Sequence, residues 1–155
     1  MALQMSVNRD NILDSLIPYF EDKRYILLIG DMGFGKSDKI TAMYPDRVIN
    51  CGIMEQATVG IASGMAQAGL IPIIYSISAF IVLRALEQIR NDIVLRDRNV
   101  KIIGNGCGDY FKDLGSCHWI KDDDISLMQI INMPVYEGSR FEEWINSKKG
   151  GYIRV

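Results

Sequence analysis

A three-layer αβα sandwich built on a mainly parallel sheet is the fold class this sequence predicts. The first observation behind it is alternation. Six short apolar runs (24–31, 47–50, 70–76, 99–105, 133–136 and 151–155) are separated by stretches of helical periodicity. The second is that runs such as "YILLI" and "IPII" are continuously apolar, the pattern of strands covered on both faces. The third is a complete absence of charge from Gln56 through Leu83. That span is long enough to cross a bilayer. Gly69 and Pro72 break it, however, and Gln56, Ser63, Gln67, Ser76 and Ser78 interrupt it, so it reads as buried helix, tight turn and buried strand.

The elements follow in order. Segment 8–22 carries Ile12, Leu13, Leu16, Ile17 and Phe20 at helical spacing. "RYILLIGD" is a buried strand ending in a glycine-rich loop, and 38–44 is at most a short helix, stopped by Pro45. After the short strand 47–50, a helix begins near Ile53 and ends at Gly69, a suitable C-terminal glycine. "LIPIIYS" is the third strand. Segment 79–97 reads as one long helix, with Ile89 and Ile93 inward and Arg90, Asp92, Arg96 and Asp97 outward. "NVKIIGN" is a fourth strand, followed by an irregular loop over 106–116. The acids of 122–124 open a helix, where the macrodipole favours them. "MPVY", a helix over 139–147 and "GYIRV" complete the chain.

At 155 residues the chain is expected to form a single domain, 1–155, with room for a real core. Hydrophobic residues make up 48% and charged residues 23%, the proportions of an ordinary globular protein. A net charge of −2 leaves no electrostatic case for nucleic acid or an anionic membrane. The three cysteines, Cys51, Cys107 and Cys117, lack metal or redox spacing and fit a reducing compartment. No basic region leads an apolar run in "MALQMSVNRDNILD", so the expected location is cytoplasmic.

Glu55 is the last charge before the apolar interior, at the mouth of a helix. The macrodipole alone stabilises a carboxylate there by about 0.3–1 kcal/mol. A half-desolvated carboxyl could instead handle protons, because burial favours its protonated form. Ala57, Gly60, Gly64 and Ala68 share one face of the same helix. Two glycines on one stripe cost about 1 kcal/mol each relative to alanine, so a partner helix or ligand is expected to pack close.

In such a sheet, ligands bind beyond the C-terminal ends of the strands. Those ends are the 30–37 loop, the 50–55 turn, 76–80 and 105–118, which together bring in the only histidine. The first loop, Gly30 to Ser37, reads "GDMGFGKS" and matches the phosphate-loop pattern of nucleotide hydrolases. That mechanism requires a substantial helix after Lys36 and a second strand ending in a magnesium-binding aspartate. "DKITAMYP" offers only about two turns, and the candidate strands end in asparagine and glycine. Asp31 is equally well explained as a turn residue closing a strand.

The combination "GDMG…YPDRVINCGIMEQATVGIASGMAQAGLIPIIYSISAFIVLRALEQIRNDI…NVKIIGNGCG…LGSCHWIKDDDISLMQIINMPVY" resembles the pyrimidine-binding domain of the transketolase family of thiamine-diphosphate enzymes. The likeness runs over about 25–155 in the family's order. Its most specific pieces are "PDRVINCGIMEQ" and "RALEQIR".

The resemblance implies a thiamine-diphosphate-binding fold. It also implies that Glu55 hydrogen-bonds to N1′ of the cofactor's aminopyrimidine, favouring the 4′-imino tautomer that generates the thiazolium ylid. A nearly buried glutamate suits that task because it can donate as well as accept. An aromatic residue of the family stacks on the pyrimidine. Phe80 is the nearest match in "SISAFIVLRA", but the spacing to Arg84 is one residue longer than usual, which leaves Ile81 as the alternative. His118 in "GSCHW" matches the histidine that faces substrate, with Cys117 where the family has threonine or serine. Asp31 and Lys36 match the first loop near cofactor and substrate, Lys36 as a phosphate contact.

The family's "GDG" followed by asparagine, which holds Mg²⁺ and the diphosphate, does not occur, nor does the family's third domain. The resemblance therefore implies the small subunit of a split enzyme. Its partner would be a separate diphosphate-binding subunit carrying GDG…N, in a heterotetramer that is a dimer of heterodimers. The expected reaction is transfer of a two-carbon ketol unit between sugars or sugar phosphates. A 2-oxo acid decarboxylase or dehydrogenase, or an acyloin-forming enzyme, is the enzymatic alternative.

Overall fold

The computed structural model of the chain describes residues 7–155. Six strands occupy the predicted runs: β1 Tyr25–Ile29, β2 Val48–Asn50, β3 Ile71–Ile77, β4 Lys101–Asn105, β5 Val135–Glu137 and β6 Gly151–Arg154. They form one sheet in the order β2-β1-β3-β4-β6-β5. Every pairing is parallel, so the sheet is wholly rather than mainly so.

Register explains the continuous apolar runs. One row crosses the sheet through Leu28, Ile74, Ile102 and Tyr152, and the next through Ile29, Tyr75, Ile103 and Ile153. Successive side chains point to opposite faces of a strand, and both rows are buried. The first row packs under α3 Glu55–Gln67, α4 Ser78–Arg84 and α6 Asp123–Ile130 through Val59, Ala62, Val82 and Met128. The second packs under α1 Ile12–Leu16, α2 Asp38–Met43 and α7 Phe141–Asn146 through Leu13, Leu16, Ile40 and Trp144. These are the three layers. Each fully buried Leu or Ile contributes about 1.5–3 kcal/mol to holding them together.

Three helical expectations change in detail. Segment 8–22 is α1 followed by a 3₁₀ turn at Ile17–Glu21, which accommodates Pro18. In 139–147 a 3₁₀ turn at Gly138–Arg140 precedes α7. Segment 79–97 is not one helix: α4 stops at Ala85 (φ −114°, ψ 17°), α5 spans Leu86–Gln88, and a π turn follows at Ile89–Val94. Neither proline nor glycine marks that break. Val82, Ala85 and Ile89 on its two sides are all fully buried, so packing against the sheet sets the interruption.

Candidate functional site

Because the strands run the same way, the loops after β1, β2, β3 and β4 all leave from one edge. Asn50, the last residue of β2, ties two of them together. Its Oδ1 accepts from the backbone N–H of Asp31 at 3.2 Å and of Gly52 at 2.9 Å, while its Nδ2 donates to Asp31 Oδ1 at 3.1 Å. Asp31 holds a left-handed backbone (φ 51°), which the short polar side chain of aspartate tolerates. The turn through Gly52 (φ 70°) then delivers the chain to the start of α3.

Glu55 is the first residue of that helix, and its side chain is only 5% exposed. Its Oε1 accepts a hydrogen bond from Arg84 Nη1 at 3.1 Å. An open cavity of about 550 Å³ lies beside it, lined by Ile53, Met54, Glu55, Gln56, Ala57 and Arg84. Arg84 is the last residue of α4, four residues after Phe80 and so on the same helical face. Its guanidinium carbon lies 3.9 Å from the centroid of the half-buried Phe80 ring. His118 approaches the same ring, with centroids 4.8 Å apart and planes tilted by 58°.

The loop carrying His118 is held locally. The His118 N–H donates to Gly115 O at 3.0 Å, and ring Nδ1 lies 3.2 Å from Cys117 Sγ. Phe111, whose ring is 6.4 Å from that of His118, presses on the backbone of Gly106. A Cβ at Gly106 would fall 2.1 Å from the Phe111 ring, and φ there is +73°, so only glycine fits.

Glu55, Arg84, Phe80 and His118 thus form one contiguous line along the C-terminal edge of the sheet. Ile81 does not join it. The side chain one residue past Phe80 turns into the core and is fully buried, which leaves Phe80 as the residue of the two that is open to a ring. Lys36 also stands apart. Its ammonium pairs with Asp10, whose carboxyl it holds below the ordinary range, and it shares no hydrogen bond or ion pair with Glu55 or His118.

The phosphate-loop reading of Gly30–Ser37 fails on geometry. The following helix has six residues, the lysine is engaged by Asp10, and the adjacent strands end at Asn50 and Ile77 with no carboxylate to hold magnesium. Among the described residues, no three His, Cys, Asp or Glu side chains are grouped to bind a metal ion.

Two groups escape a reading of the sequence. Arg84 is visible there only as a motif position, although its i,i+4 spacing from Phe80 on a helix is an available signal. Asp124 reads only as an acid that the dipole favours at a helix start, yet it is fully buried. Its Oδ2 accepts from Tyr152 Oη at 2.7 Å, Arg154 Nε at 2.8 Å and Ser78 Oγ at 3.5 Å. Cys107 joins the cluster 3.2 Å from Ser78 Oγ, and burial pushes its thiol up to about 11. Since Ser78 opens α4, this network anchors the helix that presents Phe80 and Arg84.

A parallel αβα domain whose strand ends gather a buried helix-terminal glutamate, an arginine, an aromatic ring and a histidine defines a class of cofactor-binding module. The chain belongs to the transketolase pyrimidine-binding domain family, whose pattern matches residues 18–132.

Among its relatives, one of the subunits of an apulose-4-phosphate transketolase from Actinobacillus succinogenes is 37% identical over 86 residues, 56% of this chain and 27% of that protein. The 6-deoxy-6-sulfo-D-fructose transketolase subunit SqwH of a Clostridium strain is 31% identical over 131 residues, 83% of this chain and 41% of its own length. A solved split-gene transketolase, described as an inactive β4 tetramer, superposes with a TM-score of 0.75 at 28% identity, covering 92% of this chain and 47% of that one. Campylobacter jejuni transketolase shares the fold, with a TM-score of 0.78 at 16% identity over 94% of this chain and 24% of its own. The chain therefore spans less than half the length of each of these proteins.

Proposed function

We propose that the chain is the pyrimidine-binding subunit of a split, transketolase-like enzyme that moves a two-carbon ketol unit between sugars or sugar phosphates. One observation carries this reading: a carboxylate 5% exposed at the start of α3, joined through Arg84 to a half-buried aromatic ring at the ligand-binding edge of a parallel sheet. The residues fit a flat aminopyrimidine. Phe80 supplies a ring whose face Arg84 covers here, Glu55 an oxygen that the same guanidinium touches, and an open cavity lies along Glu55 and Arg84.

When bound, thiamine diphosphate supplies a carbon nucleophile and electron sink that no protein side chain provides. Glu55 holds or returns the proton at the pyrimidine's ring nitrogen, its burial keeping water away from that proton. Phe80 orients the ring by stacking. Asn50 and Asp31 brace the turn from which Glu55 emerges, and His118, across Phe80, faces the carbonyl substrate and exchanges protons with its hydroxyls.

We assign Mg²⁺ and the diphosphate to a separate chain carrying GDG…N, in line with relatives that are named as single transketolase subunits. The exposed face of α3 is the candidate contact. It presents Ile61 (45% exposed) beside Gly60 and Gly64, where an added Cβ would meet nothing within 4 Å, and the turn before the helix exposes Ile53 (66%) and Met54 (52%). Two of the relatives are themselves named as single subunits of transketolases, which supports a divided enzyme. The assembly we favour is a dimer of heterodimers. The free thiols at Cys51, Cys107 and Cys117 suit the reducing cytoplasm.

The test is reconstitution with the diphosphate-binding chain, thiamine diphosphate, Mg²⁺, a ketose donor and an aldose acceptor. Ketol transfer should appear only in the mixture and disappear with Glu55→Ala. Undiminished transfer by that variant would remove the central claim.

A further inference from the structure

We propose that in the free chain Arg84 occupies the aminopyrimidine's place, so that the cleft is closed by its own side chain until the cofactor displaces it. This rests on the reading of Glu55 and Phe80 given above and adds a regulatory step to that same site.

The argument begins with shape. A guanidinium is a flat, delocalised array of nitrogens around one carbon, and an aminopyrimidine presents a flat N–C–N edge of similar reach. Here the Arg84 group meets both demands of the slot at once. Its carbon lies 3.9 Å over the Phe80 centroid, a stacking distance, while Nη1 lies 3.1 Å from Glu55 Oε1. The ring face it covers is the one turned toward the glutamate, since a single flat group touches both. A second flat group cannot enter while the first remains.

Arg84 also holds the acid through a charge-assisted hydrogen bond to Oε1, which a neutral pyrimidine has to replace.

The geometry indicates which partner moves. The Glu55 side chain is 5% exposed, that of Arg84 44%. Arg84 ends α4, immediately before the backbone leaves helical geometry at Ala85. Among the described residues, its side chain has a single hydrogen-bond partner, Glu55. The cavity along Ile53, Met54, Gln56 and Ala57 opens beside it and gives the displaced side chain room. The acid and the ring are thus fixed, and the arginine is the removable part. A site whose competent form is a minor fraction of the population loses apparent affinity by that fraction. The free chain then binds the pyrimidine poorly, and anchoring of the diphosphate on the partner supplies the energy that expels Arg84.

The experiment uses the chain's single histidine as its reporter. His118 lies 4.8 Å from Phe80, so its ring-proton NMR signals change when the occupant of that cleft changes. Thiamine, which needs no diphosphate site, is titrated into the wild type, Arg84→Ala, Arg84→Met and the double variant Glu55→Gln/Arg84→Met. Both single variants should bind about ten-fold or more tightly than wild type, as expected if the closed form holds nine-tenths of the population. The double variant should lose that gain.

Equal or weaker binding by both Arg84 variants, with binding still dependent on Glu55, would overturn the stand-in while leaving the pyrimidine site intact. Absence of Glu55-dependent binding in every variant, and in the wild type assembled with its diphosphate-binding chain, would overturn the pyrimidine site and the stand-in together. Two replacements guard against an isolated packing defect, since Ala removes the side chain and Met keeps its bulk without charge or planarity.

Discussion

At Glu55, replacement by Gln keeps the shape of the side chain and removes its ability to move a proton. In the reconstituted enzyme we expect Glu55→Gln to lower kcat by roughly 10²–10⁴, the usual contribution of a positioned acid or base, with the cofactor still able to stack on Phe80. A second residue makes a prediction through pH. Lys101 is fully buried, and its ammonium donates to the carbonyls of Ser147 and Lys149, both at 2.8 Å. Burial pushes its pKa down to about 8. Below that pH the lysine is protonated whether the chain is folded or unfolded, and the fold carries the full cost of a buried cation. Between about 8 and the unfolded value near 10.4, only the unfolded chain still binds the proton, so stability rises with pH. Denaturation curves for wild type and Lys101→Met should therefore diverge in favour of wild type, by on the order of 2–3 kcal/mol, across that window. A constant difference would show that Lys101 does not titrate there.

Among the elements, α4 has the most to do, presenting Phe80 and Arg84 outward while Ile81 and Val82 fill the core. Its start is held by Ser78, which meets Asp124, Tyr152 and Cys107. Asp124 is fully buried, and the side chain of its partner Arg154 is 11% exposed. Loss of Asp124 leaves Arg154 with Asp122 and Glu137 but takes an acceptor from the buried Tyr152 and Ser78 hydroxyls, at a cost of about 1–3 kcal/mol. Asp124→Ala should lose that much in urea denaturation and loosen the ring contact between Phe80 and His118, visible in the histidine signals. The sequence placed Asp124 correctly at a helix N-terminus, but helical periodicity could not show that β6 would bring Tyr152 and Arg154 beneath it. The break at Ala85 was hidden for the same reason. It answers the packing of Val82 and Ile89 on the sheet and leaves no proline or glycine behind.

Across the whole molecule, the exposed face of α3 is where the proposed assembly would ask something different from what the free chain needs. Gly60 and Gly64 lie within a helix, and a Cβ at either meets nothing within 4 Å. In the free chain, Gly64→Ala should stabilise the fold by about 0.5–1 kcal/mol, the difference in helix propensity. If this face is the subunit contact, the same methyl group intrudes on the partner and weakens assembly, measurable by sedimentation of the mixed chains. Unchanged assembly with Gly64→Ala would move the contact elsewhere. No helix among the described residues is long and apolar enough to cross a membrane, because the uncharged span from Gln56 to Leu83 folds as α3, a turn, β3 and part of α4.

Order and type of elements were legible in the amino acids. The six strands, the edge at which their ends gather and the position of Glu55 at a helix mouth all follow from neighbours within a few residues, where backbone propensity and apolar period act. The pairing of Glu55 with Arg84, twenty-nine positions away, and of Ser78 with Tyr152, seventy-four away, was decided only in three dimensions. So was the burial of Ile81 beside the half-buried Phe80, adjacent residues that a helix turns about a hundred degrees apart. Local forces say that a side chain sits on a helix. Only the register of the sheet beneath says which way that helix faces, and therefore which side chain meets the core and which meets the site.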